Sequence, residues 1–414
     1  MSQLNRISRW VAALAAASAA AGCATYQGKV GEARMLIEHR RPAEAAEKLE
    51  PLANQEGDDQ LVYMLDWATA LQLAGQYKES ASALNRGEKI ADIQDYHSIS
   101  NIAASLALSE EMVQYKGEDF EKVLINAVNS INYLMMGELD DALVEVRKVN
   151  QKLTRYRTEA KRNYEQNPFA YYLSATIWEA SHKWDDAFID YKSAAELVPD
   201  FPLIKEDLLR AAMRAQRSDE IAELRRKYPD LKPRPEWKDP GMGELVFIMQ
   251  QGWGPRKQPR PGAPRFPKLF PTHSMTQAAS LVVNGQAVAR TERIYSVQDV
   301  AIKTLDDAYA ELVAKRVAGV ATKAVIADQI RQKNELLGAV AWVALNVADR
   351  ADLRQWSTLP ETFQVARVFL KAGTYNVGAS GLFSSGAPDG ERMPEQAIKV
   401  LPGKKTFVTW RSLN

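Results

Sequence analysis

Across 414 residues the chain has one cysteine, Cys23, and only four histidines, His39, His97, His182 and His273, far apart in sequence. A lone cysteine excludes an internal disulfide framework and a paired redox motif. The scattered histidines lack a HisGluXaaXaaHis or comparable spacing, so no metal site is expected. No phosphate-cradling Gly loop is present. His273 lies between Thr272 and Ser274 in a Pro-rich stretch and not at the strand–turn–helix corner that a nucleophile needs. Three carboxylate pairs, Asp140–Asp141, Asp185–Asp186 and Asp306–Asp307, each read as the opening of a helix, where the dipole favours negative charge. No catalytic residue and no cofactor is therefore expected.

An excess of charge of one sign is also missing, with 53 Lys+Arg against 52 Asp+Glu. That balance argues against nucleic acid as a main partner. Past the first 22 residues no apolar run reaches the roughly 20 residues that span a bilayer. The longest, 336–348, suits a buried core helix.

The beginning of the chain is rich in what the rest lacks. Arg6 and Arg9 precede an almost wholly apolar stretch, residues 10–21, and Ala20, Ala21 and Gly22 lead into Cys23. This is the layout of a secretory signal peptide over residues 1–22. The small residues before Cys23 resemble the lipobox of bacterial lipoproteins, with Ala20 where Leu is commonest. The resemblance implies a lipid-modified Cys23 at the head of a short tether, residues 23–27. Several acyl chains give the stable anchoring that one chain does not. Ala24 stands where an Asp would retain the protein at the inner membrane, so by that sorting rule the expected place is the outer membrane, facing the periplasm. Without the leader's two arginines, 51 basic side chains face 52 acidic ones.

Residues 28–230 read as helical hairpins with small residues at fixed offsets. One unit carries Ala68, Gly75, Tyr77, Ser80, Leu84 and Gly87. A second carries Ser130, Tyr133, Gly137, Ala142, Val146 and Val149, and a third Ala175, Trp178, Ala187, Tyr191, Ala194 and Pro199. An opening unit has Ala33, Leu36, Ala45, Leu49 and Leu52. These offsets resemble the tetratricopeptide repeat (TPR), whose small residues mark close helix crossings. The turns align at Arg40, Gly75, Gly137 and His182. Their uneven spacing leaves room for a degenerate helix pair near 97–120 and predicts that the helix starting near Leu139 runs past Arg157. Residues 202–228 read as a last pair with a charged cap. Such stacks present a concave face to partners. Repeat geometry puts Val62, Leu65, Thr69 and Gln72 of one inner helix, and Phe169, Tyr172, Thr176 and Glu179 of another, on that face. The plainer reading is that neighbouring helices cover the apolar members.

The composition shifts at Lys232. Residues 231–275 read as a Pro/Gly-rich linker with one strand at 244–250. Its basic tract, Arg256, Lys257, Arg260, Arg265 and Lys268, suits an anionic surface such as lipid headgroups or peptidoglycan; a solvated linker whose aromatics pack back is the plainer reading. Residues 276–414 read as a β-rich domain. Asn284-Gly285 marks a hairpin, two helices are expected near 297–318 and 322–349, and two further hairpins are expected at Lys371-Ala372-Gly373 and Pro402-Gly403-Lys404. Trp356 reads as a pin between the helical insertion and the sheet. The fold class is α+β: a TPR-like α-solenoid, then a small antiparallel β domain with a helical insertion.

Segments 115–125 and 133–147, GlyTrpGlyProArgLys at 252–257, AlaAspLeuArgGlnTrpSerThrLeuPro at 351–360 and GlnValAlaArg at 364–367 together resemble an uncharacterised family of bacterial tetratricopeptide lipoproteins. Genes of that family neighbour lipoprotein activators of penicillin-binding proteins, which implies an envelope role beside peptidoglycan synthesis. The expected function is a non-enzymatic, membrane-tethered scaffold that binds another envelope protein through its repeat groove. The alternative is a peptidoglycan or outer-membrane-component binder acting through the β domain. An enzyme acting on the cell wall is the third class.

Overall fold

The computed structural model describes residues 26–98, 114–160, 166–333 and 350–414. The leader, Cys23, most of the extra helix pair and the apolar run 336–348 lie outside them.

Among the described residues, ten helices form five hairpins: α1 (Tyr26–Glu38) with α2 (Pro42–Asn54), α3 (Gln60–Leu73) with α4 (Tyr77–Ser98), α5 (Asp119–Met136) with α6 (Leu139–Arg155), α7 (Pro168–Ala180) with α8 (Trp184–Leu197), and α9 (Ile204–Arg214) with α10 (Ser218–Lys227). One backbone device ends the first helix of every pair. Arg40, Gly75, Gly137, His182 and Gln216 take φ of 59°, 76°, 77°, 59° and 55°. At each, the next amide reaches five residues back, as in Glu138 N to Tyr133 O and Lys183 N to Trp178 O. These are Schellman caps, which satisfy carbonyls that the helix end leaves orphaned. The four turns expected from the sequence are among them, and Gln216 adds the fifth. The small residues also sit as expected: Ala33, Ala45, Ala68, Ala142, Ala175, Ala187 and Ala194 are fully buried. A π-helical turn, Tyr156–Ala160, extends α6 past Arg157.

Among the described residues, the C-terminal half has ten strands: β1 (Met242–Gln251), β2 (Arg256–Arg260), β3 (Ala263–Phe270), β4 (Ala278–Val283), β5 (Gln286–Arg290), β6 (Glu292–Ser296), β7 (Thr362–Lys371), β8 (Gly373–Leu382), β9 (Pro388–Val400) and β10 (Lys405–Arg411). Two four-stranded sheets, β10-β1-β7-β6 and β5-β4-β8-β9, pack face to face, and β2-β3 forms a separate hairpin. Pairing is antiparallel except for β1 with β10, which is parallel. Asn284 and Gly285 both take positive φ, 49° and 77°, and join β4 to β5.

Several boundaries differ from the sequence reading. The strand expected inside a linker is β1, which lies between β10 and β7 in the first sheet. The Pro-rich tract after it is the β2-β3 hairpin, with Pro259 opposite Pro267; a free-standing pair tolerates prolines that a central strand does not. The turns at Lys371–Gly373 and Pro402–Lys404 carry the chain from one sheet to the other instead of closing hairpins. A short turn dictates where the chain bends, not which strand it then pairs with. One continuous helix, α11 (Val297–Lys333), replaces the expected break after 318. Asp306 and Asp307 therefore lie within this helix, near Arg260 and Lys303 respectively, and do not open one.

β1 explains how the halves join. Leu245, Phe247 and Met249 point into the sandwich. Val246 and Ile248, on the other face, belong to the solenoid's core, so strand alternation puts Glu244 and Gln250 on that side too. The first sheet is thus a middle layer, apolar on both faces, and Phe363 of β7 stacks on Phe169 of α7 with centroids 4.2 Å apart.

Candidate functional site: the solenoid groove

All eight groove positions are buried. Leu65 packs on α4, close to where a Cβ on Gly87 would stand. Val62 is enclosed, and the Thr176 hydroxyl donates to Leu173 O within its own helix. The other five meet the chain's own C-terminal half. Thr69 Oγ1 accepts from the Trp356 indole at 2.8 Å. Gln72 Oε1 accepts from Gln250 Nε2 at 2.9 Å. Phe169 carries Phe363, and Arg367 donates to Tyr172 Oη at 3.1 Å and pairs with Glu179 at 3.4 Å. The face expected to stand open to a partner is closed in cis.

One end of the groove holds residues 354–359 as a repeat groove holds a peptide. Asp66, fully buried on α3, accepts from Thr358 N at 2.9 Å and Thr358 Oγ1 at 2.8 Å, and from Ser357 Oγ at 3.2 Å. The Tyr26 hydroxyl lies 2.5 Å from both Asp66 Oδ2 and Gln355 O. Burial pushes the Asp66 carboxyl up, although Tyr26, Thr358 and Arg34 oppose the shift. Glu121, at the start of α5, accepts from Trp356 N at 2.8 Å, Tyr115 Oη at 2.5 Å and Glu118 N at 3.0 Å. Burial raises its carboxyl as well. Arg34 donates to Ser357 O, and Arg411 donates to Thr358 O at 3.0 Å and Leu359 O at 3.1 Å. Gly254 N donates to Leu359 O at 2.9 Å, and Gln355 bonds Lys257 N and Pro255 O, both at 2.7 Å. Trp356 thus pins its loop to the solenoid.

The other end holds an ionic cluster of three anions and three cations. Glu179, Asp207 and Arg210 come from the solenoid; Glu244, Arg367 and Lys405 come from β1, β7 and β10. Each side chain is at most 6% exposed. Arg210 reaches Glu179 and Asp207, both at 2.7 Å; Arg367 reaches Asp207 at 2.7 Å and Glu244 at 2.5 Å; Lys405 reaches Glu179 at 3.1 Å. Tyr172 and Tyr191 donate to Asp207 at 2.5 Å and Glu179 at 2.7 Å. Burial opposes the charge on Glu179, but Arg210, Lys405 and Arg367 outweigh it and hold the carboxyl well below its usual range. Burial wins at Lys405, whose ammonium is pushed down, and at Asp207, whose carboxyl is pushed up. Removing one partner from such a set leaves a buried charge uncompensated.

The basic tract divides. Lys257 is buried, with Nζ 3.0 Å from Arg354 O and 3.4 Å from Glu118, so it does not face an external anion. Arg260 lies 4.0 Å over the Tyr309 ring and 3.5 Å from Asp306. Arg265 is exposed; Arg256 and Lys268 are half-exposed. Phe266 packs edge-on against Tyr309, as an aromatic folding back on the domain should. Among the described residues, no three His, Cys, Asp or Glu side chains are grouped to hold a metal ion.

The sequence reading missed Arg34, Asp66, Asp207, Arg210, Glu244, Arg367, Lys405 and Arg411. A signal was present for some of them: Asp66 is the single acid in an otherwise apolar helix, as the expected groove residue Glu179 is in its own, and Glu244 lies near the start of an apolar strand. A buried charge needs a partner, but sequence does not name it.

No family profile and no curated protein matches the chain. Among solved structures, TPR-like repeats of a putative kinesin light chain from Podosopora anserina overlap 49% of this chain and 92% of their own, at 14% identity and a TM-score of 0.33. MamA from Desulfovibrio magneticus RS-1, from residue 41 to its end, overlaps 48% of this chain and 93% of its own, at 15% identity and 0.31. The TPR-like architecture described above rests on the chain's own five left-handed turns and not on these overlaps.

Proposed function

We propose that this chain is a membrane-tethered, non-enzymatic binding protein of the bacterial envelope, whose TPR-like groove cradles its own C-terminal domain. The partner, another envelope protein, is then met by the outer surface of the joined body. The observation that carries this reading is the burial of all eight groove positions, five of them engaged by residues 250, 356, 363, 367 and 405. The tether rests on the leader and Cys23, and the outer membrane on Ala24.

Val144 on α6 and Ile189 on α8 are 44% and 50% exposed, and each stands seven residues after its repeat's left-handed turn. They are equivalent apolar positions on successive outer helices, suited to contact a partner. Photocrosslinkers at Val144 and Ile189 should capture a common envelope protein. Probes at Gln72 and Thr176 should yield only intramolecular products with the C-terminal half. Capture of a foreign protein from the groove positions would overturn the cis-cradle reading.

A second reading, contact with peptidoglycan or anionic lipid through the β2-β3 hairpin, is favoured by the exposed Arg265 and the half-buried Lys268 on β3. Arg265→Ala with Lys268→Ala in the full chain should abolish sedimentation with purified peptidoglycan if that reading holds.

A further inference from the structure

Buried cations elsewhere in the described residues have a carboxylate at hand. Lys122 lies 3.5 Å from Asp119, Arg210 2.7 Å from Glu179, Lys257 3.4 Å from Glu118 and Arg354 2.8 Å from Asp352. Arg34 on α1 and Arg411 on β10 are as deeply buried, at 5% and 6% exposed, and form no ion pair among the described residues. The carboxylates whose charge reaches them are Asp66 and Glu38 for Arg34, and Glu391 for Arg411. Asp66 is taken up by Thr358, Ser357 and Tyr26. Glu391 pairs with Arg40 and accepts from Ser412 Oγ at 2.6 Å and Leu413 N at 2.9 Å. Glu38 stands exposed at the end of α1.

The donors of the two guanidiniums are also incompletely used. Arg34 spends Nη1 on Ser357 O, and Arg411 spends Nη2 on Thr358 O and Leu359 O, all neutral carbonyls. Arg34 Nε, Arg411 Nε and Arg411 Nη1 are buried and meet no acceptor. The Trp253 ring, 4.1 Å from one guanidinium and 5.4 Å from the other, supports positive charge but offers no lone pair to an N–H. Its own indole N–H is fixed on Leu413 O at 3.3 Å. A buried cation with unmet donors and no counter-ion is costly. A second cation beside it adds repulsion: Arg411 is pushed down first by burial and then by Arg34.

Arg256 completes the set. It opens β2, is half-exposed, and makes no side-chain hydrogen bond or ion pair among the described residues. Arg34 feels its charge, being lowered first by burial and then by Arg256. Cations from α1, β2 and β10 thus share one neighbourhood with no carboxylate of their own, and Arg256 gives it a side toward solvent. Guanidinium N–H groups match the oxygens of a phosphate in charge and direction.

We propose that Arg34, Arg256 and Arg411 bind a small oxyanion of the phosphate class, beside the Trp253 ring. The proposal uses neither the tether nor the partner reading above. Gln27, near the start of the described chain, donates to Lys257 O next to Arg256, so a lipid headgroup phosphate and a free phosphate ion are both sources of the ligand. The test titrates inorganic phosphate into the chain from Ala24 onward, which contains every described residue, by calorimetry at fixed ionic strength. Saturable binding at one site per chain is expected. Arg256→Ala, at a half-exposed position, should weaken it about tenfold, the worth of one charge-assisted hydrogen bond. Arg411→Met should abolish it. In the parent chain isotope-labelled at arginine Nε, the Arg34 and Arg411 signals should move along the same saturation curve, a readout that does not depend on whether the Arg411 variant folds. Soluble dihexanoyl phosphatidylglycerol is titrated in parallel; tighter binding than inorganic phosphate assigns the site to a headgroup, and weaker binding assigns it to the free ion. No saturable binding of either ligand, binding that leaves both arginine signals unmoved, or binding indifferent to Arg256→Ala and Arg411→Met overturns the proposal.

Discussion

Arg34 in the first helix and Arg411 in the last strand grip consecutive carbonyls of one loop, Ser357 O by the first, Thr358 O and Leu359 O by the second. The Trp253 ring lies 4.1 Å from the Arg34 guanidinium and 5.4 Å from that of Arg411. Burial pushes both guanidiniums down, to about 10 and about 9. Two ends of the chain thus spend charged side chains on one internal loop, which marks the groove as a structural joint.

Asp66→Asn keeps the volume but removes one of two acceptor oxygens: Thr358 N and Oγ1 meet Oδ1, Tyr26 Oη meets Oδ2, and Ser357 Oγ lies near both. Its carboxylate is fully buried, so unmet donors should cost about 2–4 kcal/mol in urea unfolding. Hydrogen exchange should rise first in residues 354–359. Tyr26→Phe, which removes one donor and leaves Asp66 bound by the others, should cost about 1 kcal/mol. Equal losses in the two variants would contradict the geometry.

Arg367→Met should destabilise by about 3–5 kcal/mol, because Asp207 and Glu244 both lose a close cation in a buried site. Adding Asp207→Leu should return part of that loss, since an anion leaves together with the cation. A double-mutant cycle in chemical denaturation checks the coupling. Additive losses would mean that the six charges do not act as one neutral set.

Burial raises the Asp190 carboxyl to about 6, against the hydrogen bonds from Ser174, Asn150 and Trp178 that favour its anion. The folded state therefore holds this proton more tightly than the unfolded chain. The corresponding stability is present at low pH and lost as pH rises from about 4 through about 6. Relative to Asp190→Asn, the parent should lose about 2 kcal/mol between pH 4.5 and 7. Melting both proteins across that range measures the gap, and a gap that does not change with pH would contradict the assignment.

His182 and Gln216 hold φ of 59° and 55° at exposed turn positions, where side chains are strained and glycine is not. Each replacement by Gly should raise stability by about 0.5–1 kcal/mol. The same change at Arg40 should gain less, because Arg40 also bonds Glu391. Thermal melts of the three single variants rank them.

Much of the solenoid was legible in the sequence because its determinants are local. Gly75 and Gly137 announce left-handed turns, and buried alanines recur at crossing points. Asn284-Gly285 is equally local, and it forms the hairpin that it announces. Legibility failed where pairing is long-range. The 244–250 segment read as a strand, but nothing in it says that β10 will lie parallel on one side and β7 antiparallel on the other. The turns at Ala372 and Gly403 were visible as turns, yet they lead to different sheets.

By itself, the sequence determined the hairpin units, their caps, the change of composition near Lys232 and which helix faces are apolar. Tertiary structure alone decided what covers those faces. Thr69, Gln72, Phe169, Tyr172 and Glu179 carry the pattern of a surface that must be buried, and that pattern is the same for a foreign partner as for the chain's own β1, β7 and 354–359 loop. Burial of apolar area is non-directional, so the periodicity marks the face and leaves its occupant open. The occupant is fixed only when the folded chain brings Arg367 to Asp207, Trp356 to Thr69 and Phe363 to Phe169.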